Sequence, residues 1–133
     1  MRTRALQQST ILVVVILILG TLTLAFADGV RKRIRFAKGR NSTVISNAVL
    51  REDIDQYLVG AKAGQKMKVT ITSVESNASF EISRPGTGGM LPGAGFEDDA
   101  RKWSGELPDT GDYLIEVAPT RGNATYRLTV EIR

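Results

Sequence analysis

The sequence predicts an all-β protein: an antiparallel β-sandwich, jelly-roll-like, of about eight short strands following an N-terminal signal segment. Three observations predict it. Met67, Val69 and Ile71 alternate with Lys66, Lys68, Thr70 and Thr72, and Tyr126, Leu128, Val130 and Ile132 alternate with Arg127, Thr129, Glu131 and Arg133. A period of two places one set of side chains on each face of a sheet. Turn-forming residues punctuate the chain between such runs, and no heptad or apolar helical face of ordinary length interrupts them.

The first 27 residues read as an export segment. Arg2 and Arg4 supply a positive start, Ile11 to Leu19 is an unbroken apolar run, and Ala25-Phe26-Ala27 is a small-x-small cleavage site before Asp28. The competing reading is an uncleaved anchor, since the apolar stretch from Ile11 to Ala27 is at the short limit for a spanning helix. The expected organisation is a signal peptide over 1–27 and one β-sandwich domain over 28–133, with a periplasmic or secreted location.

Val30 to Phe36 is the first expected strand, with Val30, Ile34 and Phe36 on one face and Arg31, Arg33 and Arg35 on the other. Its cations suit a solvated edge that discourages sheet-to-sheet association. Lys38 to Asn41 turns the chain, and Thr43 to Val49 is the second strand. A polar bend follows with Glu52, Asp53 and Asp55. It lacks the spacing of a calcium loop, and we expect three solvated carboxylates. Gln56 to Ala61 is the third strand, with Tyr57, Val59 and Ala61 on one face. Lys66 to Ser73 and Ser79 to Ser83 are the fourth and fifth. From Arg84 to Phe96 two Pro and five Gly break every pattern, which suggests a mobile surface loop. Lys102 to Glu106 surrounds the single Trp103, expected in the core. Tyr113, Ile115 and Val117 begin the next run after Pro108 and Gly111. With the strand from Tyr126 it is expected to form a β-hairpin whose connecting loop carries Arg121.

Composition removes several function classes. There is no Cys and no His, so thiolate chemistry, the Ser-His-Asp triad and the usual zinc sites are absent. Two of the 18 basic residues, Arg2 and Arg4, precede the cleavage site, leaving 16 against 14 acidic residues. A nucleic-acid binder shows a stronger basic bias than this. The three carboxylates of the 52–55 bend share one loop, whereas a glycosidase needs two facing a cleft. The reading is a binding protein, with no enzymatic activity, metal or cofactor.

Several segments then resemble a known family in order and spacing: Phe36-Ala37-Lys38-Gly39-Arg40, Asp55-Gln56-Tyr57, Ala63-Gly64-Gln65-Lys66, Leu107-Pro108-Asp109-Thr110-Gly111-Asp112-Tyr113 and Pro119-Thr120-Arg121-Gly122-Asn123-Ala124. Over residues 30–133 the chain resembles the bacterial periplasmic inhibitors of goose-type lysozyme. It also resembles the pre-peptidase C-terminal domain, a β-sandwich accessory module of secreted bacterial enzymes. The first resemblance implies a goose-type lysozyme as protein partner, with Arg121 matching the family's arginine that enters the enzyme cleft. It makes Arg121, Asn123, Tyr57 and Glu52 the candidate partner-binding residues. Glu52 stands where the family carries a Tyr, and the family's second loop Arg has no match. The second resemblance implies a non-inhibitory module associated with cell-wall polysaccharide. Under either, membrane contact runs only through an uncleaved N-terminal segment.

Overall fold

The structure, a computed structural model, describes residues Gly29–Arg133; the expected signal segment and its cleavage site lie outside the described residues. Eight strands form: β1 (Arg31–Arg33), β2 (Ser42–Val49), β3 (Asp55–Ala61), β4 (Lys66–Ser73), β5 (Ala78–Ser83), β6 (Lys102–Glu106), β7 (Gly111–Pro119) and β8 (Ala124–Ile132). One sheet has the order β1-β3-β7-β5 and the other β2-β8-β4-β6. All pairings are antiparallel except that of β1 with β3. The two inner faces enclose one core that includes Tyr57, Val59, Met67, Val69, Phe80, Ile82, Tyr113, Ile115, Val117, Leu128 and Val130.

Consecutive strands alternate between the two sheets, so no strand pairs with its neighbour in sequence. The expected β7–β8 hairpin is therefore not formed. β7 lies between β3 and β5, β8 lies between β2 and β4, and the Arg121 loop crosses from one sheet to the other. Alternation specifies which face of a strand is buried and leaves its neighbour open. The four residues from Thr120 to Asn123 give the chain room to change sheets, which a two-residue hairpin turn does not.

The Gly- and Pro-rich stretch also differs from expectation. It packs against the sandwich, with Leu91 and Ala94 buried in the core, as is Ala100 just beyond it. It runs back beside the edge strand β5: Leu91 N–H donates to the Ile82 carbonyl, Ile82 N–H to Ala94, and Phe80 N–H to Ala100. The stretch thus satisfies the β5 edge that would otherwise stand unpaired. Trp103 is half-buried against the core, and its Nε1–H donates to the Pro92 carbonyl at 2.9 Å.

The Asp109-to-Tyr113 segment closes on itself. The Tyr113 hydroxyl donates to the Asp109 carbonyl at 2.8 Å and accepts the Asp109 N–H at 2.9 Å. That motif fixes the entry of β7.

The strand directions gather the loops at two ends. At one end lie the connections β2–β3 (50–54), β4–β5 (74–77) and β7–β8 (120–123), together with the start of β1. Because β8 sits between β2 and β4, the Arg121 loop is the middle one of the three.

Candidate partner-binding site

The three loops are joined by hydrogen bonds around Asn77, which is buried. Its Nδ2 donates to the carbonyls of Arg121 at 3.1 Å and Asn123 at 3.0 Å. Its own carbonyl accepts the Thr120 N–H at 2.8 Å. A buried amide with its donors used in this way holds the loop in one conformation. Asn123 ties the other side, its Oδ1 accepting the Arg51 N–H at 2.8 Å. Asn123, expected at the partner interface, thus has its carbonyl oxygen engaged in holding two loops together.

Arg121 is exposed, and its Nη2 donates to the Glu75 carbonyl at 2.7 Å. A pairing with Glu116 is not made; that carboxylate accepts Gln56 Nε2 instead. Among the described residues no carboxylate forms an ion pair with Arg121. Its guanidinium is oriented by a neutral acceptor. The remaining N–H groups can still make a charge-assisted bond to a partner.

An open cleft of about 560 Å³ adjoins it, lined by Arg51, Glu52, Pro119, Thr120, Arg121 and Gly122. Glu52 and Arg121, 69 positions apart in sequence, thus line the same cleft without forming an ion pair. Glu52 lies in a turn closed by the Asp53 N–H to the Leu50 carbonyl at 3.0 Å and has φ of 70°. Left-handed backbone is uncommon for a residue with a side chain. The cleft also contains Arg51, which no sequence pattern singled out. It is brought to Arg121 only by the pairing of β2 with β8.

Two expectations about this region are corrected. Tyr57 is 1% exposed and unavailable to any partner. Its position on the inward face of β3, beside Val59, dictates this. Asp55 is likewise no solvated loop carboxylate; it is 2% exposed at the first position of β3. It accepts three hydrogen bonds: from Tyr126 at 2.6 Å, Asn47 Nδ2 at 3.1 Å and the Val30 N–H at 2.9 Å. The Tyr57 and Tyr126 hydroxyls are 2.5 Å apart. The Tyr126 proton goes to Asp55, so Tyr57 is the donor to Tyr126. Burial pushes the Tyr126 hydroxyl pKa far up, and its bond to Asp55 pushes it further. Burial raises the Tyr57 hydroxyl pKa as well. Both stay protonated, and the network serves as a clamp between the sheets beneath the loop end.

A sandwich whose end carries a hydrogen-bonded set of loops with an uncompensated arginine is a binding module in design. Among the described residues no group of three or more His, Cys, Asp or Glu is placed to hold a metal ion. No family model matches the chain. It is 32% identical over 120 residues to the inhibitor of g-type lysozyme of Escherichia coli (strain K12), covering 82% of each chain. The crystal structure of Aeromonas hydrophila PliG, a periplasmic inhibitor of g-type lysozyme, matches with a TM-score of 0.65 at 31% identity, over 80% of this chain and 100% of that one. The pre-peptidase C-terminal domain of a Bacillus anthracis collagenase matches with a TM-score of 0.58 at 15% identity, over 80% of this chain and 100% of that one, and shows the shared fold alone. The chain belongs to the family of g-type lysozyme inhibitors. The family consists of inhibitors of an enzyme and not of enzymes, and its members place the protein in the periplasm.

Proposed function

We propose that this protein inhibits a goose-type (g-type) lysozyme by seating the Arg121 loop in the enzyme's substrate cleft. The observation that carries the reading is the unpaired Arg121 guanidinium, exposed at the tip of a loop fixed by Asn77, in a chain of this family. Glycoside hydrolysis depends on carboxylates facing a cleft. A guanidinium entering that cleft pairs with such a carboxylate in a site shielded from water, where a charge-assisted bond is strongest. Asn77 and Asn123 prepare the loop before binding, which reduces the ordering cost of association. Arg51 and Arg121 outweigh the one carboxylate of the cleft, Glu52, and the net positive charge favours an acidic partner surface. Residues 1–27 direct the chain to the periplasm and are removed before Asp28.

The test is an assay of bacterial cell-wall hydrolysis by a g-type lysozyme, titrated with the purified domain from Asp28 to Arg133. Stoichiometric loss of activity is expected. Undiminished hydrolysis at a large excess of the domain is the result that defeats the reading.

A further inference from the structure

Exposed aliphatic side chains gather on the Arg121 end. Five large hydrophobic residues are exposed among the described residues, and Leu50, Ile54 and Val74 all belong to its loops. Single exposed apolar residues are ordinary on a protein surface and need no account. These three are not scattered. Val74, 95% exposed, occupies the turn closed by the Ser76 N–H to the Ser73 carbonyl at 3.1 Å. Turns of this kind favour Gly, Pro, Asn, Asp or Ser, and Val serves nothing in the turn itself. Its neighbour Glu75 offers the carbonyl that Arg121 grips, and Arg51, the neighbour of Leu50, is bonded to Asn123. Leu50 and Val74 therefore stand one residue away from a hydrogen bond to the same central loop. They lie on opposite sides of it, because β8 runs between β2 and β4.

We propose that Leu50 and Val74 are two apolar shoulders that close on the rim of the partner's cleft, one on each side of Arg121. The inhibitory surface is then a three-loop face, and the partner is a protein with an acidic cleft bordered by apolar surface. This rests on the lysozyme reading above and extends it. The arrangement is that of an effective interface: a charged anchor at the centre, surrounded by contacts that exclude water from it. The Arg121–Glu75 bond ties the anchor to the loop that bears the Val74 shoulder. The shoulders supply contact area, and the arginine supplies the salt-sensitive part of the affinity.

The experiment measures inhibition of a g-type lysozyme by the wild-type domain and by Val74→Ser, Leu50→Ser, the double variant, Val74→Ile and Arg121→Ala, each at low and high salt. Both Ser variants are expected to melt with the wild type, since neither side chain is buried. Each should weaken inhibition by about tenfold, the effect of a buried aliphatic contact, and leave the salt dependence unchanged. Val74→Ile should retain inhibition, and Arg121→Ala should flatten the salt dependence. If the wild type inhibits and the double Ser variant matches it within about twofold, where 1.4 kcal/mol is tenfold, the shoulders are overturned and the lysozyme reading stands. A wild-type domain that does not inhibit overturns both.

Discussion

Tyr126 donates its hydroxyl proton to Asp55 Oδ2 at 2.6 Å, joining β8 of one sheet to the first residue of β3 in the other. The bond lies in the interior, where an unmatched polar group is costly. Tyr126→Phe removes one donor from a buried carboxylate and leaves the Tyr57 hydroxyl without its acceptor. It should destabilise the domain by about 1–3 kcal/mol. Urea unfolding compared with wild type measures this. A loss no greater than that of a surface substitution, within about 0.5 kcal/mol, would mean that the network contributes nothing.

The buried faces were legible in the sequence, and this can be tested at single positions. Ile71 and Leu128 face each other across β4 and β8, and both are buried. Replacing either with Ala removes apolar volume from a packed core and leaves a cavity, at a cost of about 2–5 kcal/mol. Equilibrium unfolding of the two variants checks it.

What alternation conveyed about Ile71 and Leu128 it could not convey about pairing. Tyr113–Val117 and Tyr126–Ile132 each showed their inward set, yet the strands belong to different sheets, since a period of two holds no information on neighbours. The Gly-rich stretch was obscure for a related reason: Leu91 and Ala94 are buried without any period, as backbone bonds to β5 place them. Asp55 read as polar loop because its partners Asn47 and Tyr126 converge only in three dimensions. Among the site residues Arg121 was found through its resemblance to a family. Arg51 carried no signal, and Tyr57 was already marked as core by its inward register with Val59.

Acid should weaken the fold through two ion pairs. The Arg33 guanidinium binds both carboxylate oxygens of Asp112, at 2.8 and 2.6 Å, and holds its pKa below the usual 3.8. Arg84 does the same to Asp109 through a 2.7 Å bond. A carboxyl whose pKa is depressed in the folded state stabilises above the unfolded value, and that contribution disappears as pH falls through the folded value. The melting temperature should therefore be insensitive to pH near neutrality, where both pairs contribute in full, and should fall below about pH 4. Both pairs are partly solvent-exposed, so the effect is small and screened by salt. In the Asp109→Asn, Asp112→Asn double variant the acid-side decline should be shallower. An unchanged profile would assign acid sensitivity to other carboxylates.

Processing should matter for activity because the chain enters the domain at the site end. Val30 N–H is bonded to Asp55 at 2.9 Å, and Gln56 N–H donates to the Val30 carbonyl at 2.7 Å. A Cβ on Gly29 would meet the Ile54 carbonyl oxygen at 2.2 Å, so the chain passes directly against the 50–54 loop. Mass spectrometry of the exported protein should give Asp28 as the first residue. A variant with Ala25 and Ala27 changed to Leu, which blocks cleavage, should remain in the membrane fraction and inhibit lysozyme poorly, its loop end held against the bilayer. Full inhibition by the retained form would show that the end is accessible regardless.

The Arg121 side chain affords the most direct test. It touches the rest of the domain through one exposed bond to the Glu75 carbonyl. Arg121→Ala should change stability by no more than about 0.5 kcal/mol, as at other surface positions. Its effect on inhibition should be much greater. A charged anchor desolvated at the centre of an interface contributes about 2 kcal/mol or more on truncation, equivalent to roughly 30-fold in affinity. Arg121→Lys separates charge from geometry. Lysine preserves the charge but presents a single ammonium in place of the planar fork, and it cannot donate to Glu75 and to a carboxylate in the same arrangement. It should lose most of what Ala loses. If Lys inhibits as well as Arg, the cleft senses only positive charge, and Arg51 becomes the residue to vary. If Ala inhibits as well as Arg while the wild type is a strong inhibitor, the guanidinium is a passive feature of the loop and the contact lies elsewhere on this end.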